Sequence, residues 1–290
     1  MATYEESTSE LLTLTESVID YPYPNFDSHT SSLLQFPGAD ESTTIRDRAG
    51  LTWLAHGGAK IDTAQYKFKA TSLYLNGEFE VTADYIYTNE YSAFNFGSGD
   101  FTIDFWIRPS ADLLFGQDYY FVAQGYKPSQ TSNNGFLLAY VTDGEEGQSW
   151  AFSYSTTGAD NNYILFGTWV EDNLIPAPAK NTWTHIAIER YGSDLNAYVN
   201  GYLSGTESIT GSIYNSTSSL SVGNAIDNDY WYVNGWVDEF RVSKGIARYK
   251  GVSFAPMDEE YFYPHDYLFS ETTTITDEIV PDHLVELIEE

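Results

Sequence analysis

From Phe101 to Arg108 the chain alternates. Phe101, Ile103, Phe105 and Ile107 take one set of positions, and Thr102, Asp104, Trp106 and Arg108 the other. A period of two places the aliphatic and aromatic set on the buried face of a strand and the mainly polar set on the opposite face. The same rhythm runs through residues 183–191, 195–199 and 202–205, with Gly192-Ser193-Asp194 and Asn200-Gly201 between them, and predicts three consecutive antiparallel strands. Asn-Gly occurs three times between aromatic and aliphatic neighbours, at Asn76-Gly77, Asn200-Gly201 and Asn234-Gly235. Both residues tolerate the positive φ that a two-residue hairpin loop demands, so each pair predicts a hairpin. Helical patterning is confined to residues 243–249 and the last ten positions. Many short strands with closely spaced turns predict an all-β, two-sheet antiparallel jelly-roll sandwich.

The ends read differently. Residues 1–30 are rich in Thr, Ser and Glu and run into Tyr21-Pro22-Tyr23-Pro24, which suits an extended arm. The stretch 9–19 matches 270–280 at Ser-Glu, at two Thr and at several aliphatic and acidic positions, a weak internal repeat at opposite ends of the chain. Val18, Ile19, Ile279 and Val280, with Leu284, Leu287 and Ile288 at helical spacing, are the arm residues expected to bury against another subunit. The expected organisation is an N-terminal arm over 1–30, a sandwich over 31–257 and a C-terminal arm over 258–290.

Composition narrows the function. With 42 acidic against 13 basic side chains, the net charge of −29 makes an anionic surface that repels phosphate backbones, so nucleic acid is not an expected partner. No cysteine is present, which removes disulfides, thiolate metal sites and a cysteine nucleophile. No 18-residue apolar run and no basic, apolar leader occur, so neither membrane nor signal peptide is expected.

Four motifs carry a family likeness: 72–77 (Ser-Leu-Tyr-Leu-Asn-Gly), 96–107 (Phe-Gly-Ser-Gly-Asp-Phe-Thr-Ile-Asp-Phe-Trp-Ile), 182–188 with 198–201, and the closing 237–249 followed by Phe254-Ala255-Pro256. Together they resemble the concanavalin A-like, laminin-G-like jelly roll over about residues 31–257, and the closing stretch resembles the version found in bacteriophage tail, fibre and head-surface proteins. The resemblance implies a two-sheet sandwich. It leaves function open, because this fold hosts lectins, glycosidases, adhesion modules and structural subunits.

Glycosidases of the family carry clustered carboxylates on one strand, and retaining hydrolysis needs two of them about 5 Å apart. No Glu-x-Asp-x-x-Glu is present. Asp143-Gly144-Glu145-Glu146-Gly147 reads as a turn, and Asp238-Glu239 as neighbours on opposite faces of a strand, so no catalytic residue is assigned. His185, inside a strong strand, reads as a packed histidine. The resemblance also implies a structural calcium held by acids that would here be Asp40, Asp47 and Asp238, although Asp47-Arg48-Ala49-Gly50 sets a cation where the family's loop is polar. Sugar binding needs an aromatic platform beside groups that read hydroxyls. Tyr119, Tyr120, Trp169, Tyr230 and Trp231 are the candidates.

These readings lead to a non-enzymatic structural protein of a virion surface, a phage capsid-decoration, head-fibre or tail-associated subunit. Its arms would dock other virion subunits, and it would form a homo-oligomer. The alternatives are a lectin-like adhesion module that binds a host glycan and, less favoured, a glycoside hydrolase.

Overall fold

A computed structural model describes residues 27–77, 82–114, 117–126, 132–142, 149–166, 175, 177–228 and 230–261. Among the described residues sixteen strands form two antiparallel eight-stranded sheets. In spatial order the first sheet runs β14 (Tyr202–Ser208), β13 (Asp194–Val199), β12 (Thr184–Tyr191), β7 (Phe101–Pro109), β16 (Gly235–Lys244), β5 (Ser72–Leu75) and β4 (Lys60–Asp62), with β1 (Thr30–Leu34) also paired to β16. The second runs β11 (Asn162–Leu165), β10 (Ser149–Tyr154), β9 (Phe136–Val141), β8 (Tyr119–Gln124), β15 (Leu220–Val222), β6 (Tyr85–Thr88), β3 (Thr52–His56) and β2 (Ile45–Arg46). The one helical element among the described residues is a 3-10 turn, Tyr91–Phe94. Residues 243–249, read as helix-capable, instead finish β16 and turn away, because Gly245 at φ 80° breaks the run.

The core lies between the sheets and is aromatic. Phe101, Ile103, Phe105 and Ile107 all face it, as the alternation predicts. Phe96 stacks on Phe101 at 4.3 Å, Phe105 on Phe121 at 5.9 Å, and Trp150 sits 4.8 Å from Phe121. Offset and edge contacts of this kind add to the area term by roughly 0.5–1.5 kcal/mol per pair.

One of the three Asn-Gly pairs makes the expected hairpin. Asn200 at φ 50° and Gly201 at φ 78° join β13 to β14. Asn76-Gly77 follows β5 and leads to β6 in the other sheet, and Asn234-Gly235 leads into β16 from the opposite sheet. Strands β5, β13, β14 and β16 adjoin these pairs, but the pairing partner is set by the sandwich.

The polar face of β7 is also corrected. Thr102 and Asp104 are buried because residues 246–261 fold back across the outer side of the first sheet, and Trp106 is buried against Lys67, Phe68 and His185. Tyr249 stacks flat on Phe254 at 3.6 Å, and Tyr198 meets both rings edge-on. Beneath this cover, Arg241 grips Asp104 through Nε to Oδ1 (3.1 Å) and Nη2 to Oδ2 (2.6 Å), and lies 4.0 Å from the centroid of the Tyr261 ring. Tyr249 and Tyr261 donate their hydroxyls to the same carboxylate. The packed region reaches past 31 and 257: Asp27 pairs with Arg248, and Tyr261 is fully engaged. The expected arm residues Val18, Ile19, Ile279, Val280, Leu284, Leu287 and Ile288 lie outside the described residues.

Candidate functional site

On the outward face of the second sheet, register sets small side chains in rows. Leu165, Ala151, Ala139 and Tyr120 align across β11, β10, β9 and β8. Beside them run Tyr163, Ser153, Leu137, Ala123 and Ser221. The Ala and Ser side chains barely rise from the sheet, so Tyr120, Tyr126 and Leu165 pack against them and bury Ala123, Ala139 and Ala151. Burial, reinforced by Asp118, pushes the Tyr120 phenol well above its ordinary value, so it stays neutral.

Residues 224–228, 230 and 231 bring the remaining rings to this layer. Asn224 donates from Nδ2 to the Asn228 carbonyl, and Asn228 Oδ1 accepts from the Tyr230 amide at 2.9 Å. The Trp231 carbonyl accepts from the Tyr120 amide at 2.8 Å, tying the loop to β8. The Trp231 ring then lies 4.9 Å from Tyr120 and 6.3 Å from Tyr230. Tyr230 is 43% exposed and Trp231 partly so. Polar groups border the rings: Tyr126 donates to Asn161 Oδ1 at 2.8 Å, and the buried Nδ2 of Asn228 has no acceptor among the described residues.

The fold thus unites Tyr120, Tyr230 and Trp231. Tyr119 does not join them. It points the other way, into the sandwich, where its hydroxyl accepts from the Leu114 amide at 2.7 Å, because adjacent strand residues face opposite sides. Trp169, Asp143, Glu145 and Glu146 lie outside the described residues. Tyr126 and Tyr163 were missed from sequence. The signal that could have found them is the run of Ala and Ser on β9 and β10, which only matters once those strands are adjacent.

Asp40, Asp47 and Asp238 do not converge. Asp47 accepts from Ser32 Oγ (2.6 Å), the Leu33 and Ala49 amides (3.1 and 2.6 Å) and Trp53 Nε1 (2.8 Å), so both its oxygens are occupied. Asp40 accepts from the Thr63 amide, and Asp238 from the amides of Lys67, Phe68 and Glu239. Among the described residues no group of three potential ligands could hold a metal ion. The donor set does not fit a calcium site.

Asp238 and Glu239 need a second correction. Glu239 adopts φ 49° at a β-bulge where the register of β16 slips against β7. The bulge puts two outward residues between core-facing Val237 and Phe240, so both carboxyls lie on the same face. They are buried, and Glu239 accepts from Gln35 Nε2 and the Tyr261 amide. Burial raises Asp238 to about 7 and, together with the Asp238 charge, Glu239 to about 8. His185 is buried as well; its Nε2 lies 3.4 Å from the Tyr261 hydroxyl, and burial lowers it to about 4, so it is neutral. The Tyr261 hydroxyl already donates to Asp104, which leaves Nε2 as the protonated nitrogen and Nδ1 without a partner among the described residues.

The sequence profile of the laminin-G-type branch of the concanavalin A-like lectin/glucanases superfamily matches residues 76–247. The chain belongs to this superfamily. No curated protein matches it significantly. Among solved structures, the binding domain of botulinum neurotoxin serotype G has a TM-score of 0.54 at 18% identity, covering 77% of this chain and 49% of that one. The binding domain of Paraclostridial mosquitocidal protein 1 gives 0.52 at 18%, covering 77% and 51%. The botulinum neurotoxin DC binding domain, solved with rat synaptotagmin II, gives 0.52 at 17%, covering 77% and 50%. The chain spans about half the length of each. At these identities the likeness is one of fold.

Proposed function

We propose that this superfamily member is a non-catalytic, lectin-like binding module whose ligand is a glycan held on Tyr120, Tyr230 and Trp231. One observation carries the reading: rings 111 positions apart in sequence meet at 4.9 Å on the outward face of the second sheet, where the loop carrying Trp231 also holds the Asn228 side-chain amide. Rigid aromatic faces bury the apolar side of a pyranose, and neighbouring amides read its hydroxyls. A non-catalytic reading is supported by Asp238 and Glu239, a carboxyl pair weighed from the sequence, being buried and bonded to the backbone amides of Lys67, Phe68 and Tyr261. The binding roles in the names of the solved relatives support the reading by analogy of fold alone. A glycan array tests it. Selective micromolar binding that Trp231→Ala removes is expected; binding to no glycan, or binding untouched by that substitution, would refute it.

A virion-surface setting, with other virion subunits as partners, remains the proposed context for this module. Its support is the phage-like closing stretch 237–249, which forms most of β16 and the start of the cover over the first sheet. Mass spectrometry of purified particles is expected to find the chain; its absence there would leave a free lectin.

A further inference from the structure

The outer side of the first sheet carries a second aromatic pair, remote from the Trp231 layer. Ile61, Leu73, Val237 and Ile107 face the core, so Lys60, Tyr74, Trp236 and Arg108 face outward. Register aligns these four across β4, β5, β16 and β7 in a single row of cation, ring, ring and cation. The rings lie 5.1 Å apart at an interplanar angle of 33°. Lys60 Nζ is 5.7 Å from the Tyr74 centroid, and the Arg108 guanidinium 5.1 Å from that of Trp236. Trp236 Nε1 donates to Asp62 Oδ2 at 2.5 Å, which fixes the indole in place. Beside Tyr74 opens a cleft of about 390 Å³ bordered by Lys60, Asn76 and Thr82.

The charges around this row are unequally engaged. Asp62 is held by the indole, and Asp84 accepts from the Gly58 and Asn76 amides. Lys60 pairs with Glu41 at 2.7 Å, but Glu41 is 65% exposed, and an exposed pair of this kind is readily exchanged. Among the described residues Arg108 donates one of its five N–H groups, to Asn181 Oδ1 at 3.1 Å. Its remaining donors suit a planar, bidentate acceptor. Only 13 cations serve a chain of net charge −29, and two of them close the ends of one partly exposed aromatic pair.

We propose that this row is a second binding site, for a pyranose bearing a single carboxylate at the end of an otherwise neutral glycan. The ring face covers Tyr74 and Trp236, and the carboxylate engages Arg108. A polyanionic chain is disfavoured, since the molecule's overall charge repels it, whereas one carboxylate feels only charges within about 8 Å at physiological ionic strength. The site is independent of the Trp231 layer and stands whether or not that layer binds sugar.

Titration calorimetry of the full chain tests it with an oligosaccharide ending in glucuronic acid, the same oligosaccharide ending in glucose, and the methyl ester of the acid. The acidic form is expected to bind at least tenfold more tightly than the other two. Arg108→Gln should abolish that preference, and Trp231→Ala should leave it intact. Equal affinity for acid and ester in the unaltered protein would overturn the proposal without reference to any variant. Retention of the full preference in Arg108→Gln, or its loss in Trp231→Ala, would overturn it too.

Discussion

Glu239 occupies a left-handed backbone position beside a second buried carboxyl, and both prefer to keep their protons. Their folded values, about 8 and about 7, exceed the ordinary carboxylate range, so the stability they contribute is complete at low pH and is lost as pH rises through 7 and 8. Asp104 behaves oppositely. Burial opposes its charge, yet Arg241 holds it below the ordinary range, so its contribution is complete above that range and vanishes only in acid. Below pH 6.5 His185, lowered to about 4, pulls the other way and gains stability as pH rises, so the bulge pair governs the slope between about pH 6.5 and 8. The melting temperature is expected to fall across that window, and Glu239→Gln should flatten the fall; an unchanged slope in differential scanning fluorimetry would mean the pair is ionised in the folded protein. Asp104→Asn leaves the Arg241 charge buried without its partner and is expected to cost about 3–5 kcal/mol in urea denaturation.

At the scale of elements, β7 and the β13–β14 hairpin make separate demands. Phe105 lies between Phe121 and Phe240 with its side chain fully buried, so Phe105→Ala should destabilise by about 3–5 kcal/mol. A loss below about 1 kcal/mol would mean the site can collapse around the cavity. Gly201 has a conformational requirement and a spatial one. A β-branched side chain resists its φ of 78°, and a Cβ there would strike the Phe254 carbonyl oxygen and Pro256. Gly201→Val is expected to cost about 1–3 kcal/mol, read as a lower melting temperature. Because the hairpin tip holds the cover through the Phe254 amide to the Gly201 carbonyl (2.8 Å), the variant should also speed proteolysis between 246 and 261.

For the whole molecule, the decisive feature is that the first sheet is buried on both sides over Thr102–Trp106 of β7, His185–Glu189 of β12 and Asp238–Ser243 of β16. Residues 246–261 supply Tyr249, Phe254 and Tyr261, and Glu189 anchors them by accepting from the amides of Tyr249 and Gly251. A chain ending at residue 245 should leave Asp104, Glu189 and Arg241 facing water across an apolar surface, and is expected to aggregate or bind a hydrophobic dye. A chain of residues 27–261 retains both sheets and the cover. It is expected to melt as the full chain does; a markedly lower melting temperature would show that the ends contribute to the fold as well as to the proposed assembly.

Alternation alone determined the fold class here. The inward set on β7, the order of β12, β13 and β14, and the turn at Asn200-Gly201 all follow from local steric rules, which hold wherever the strand goes. What local rules leave open is the partner. Asn76-Gly77 and Asn234-Gly235 have hairpin chemistry, but their flanking strands find neighbours in opposite sheets, where long-range burial outweighs a turn preference. Thr102 and Asp104 read as a polar face because the segment that buries them lies about 145 positions later in the chain. Tyr120 and Trp231 were legible as candidates and Tyr119 was misread with them, since one residue's shift along a strand exchanges surface for core. The Lys60, Tyr74, Trp236 and Arg108 row could not be read at all from order along the chain. Its members come from four strands, and only the register of the sheet sets them side by side.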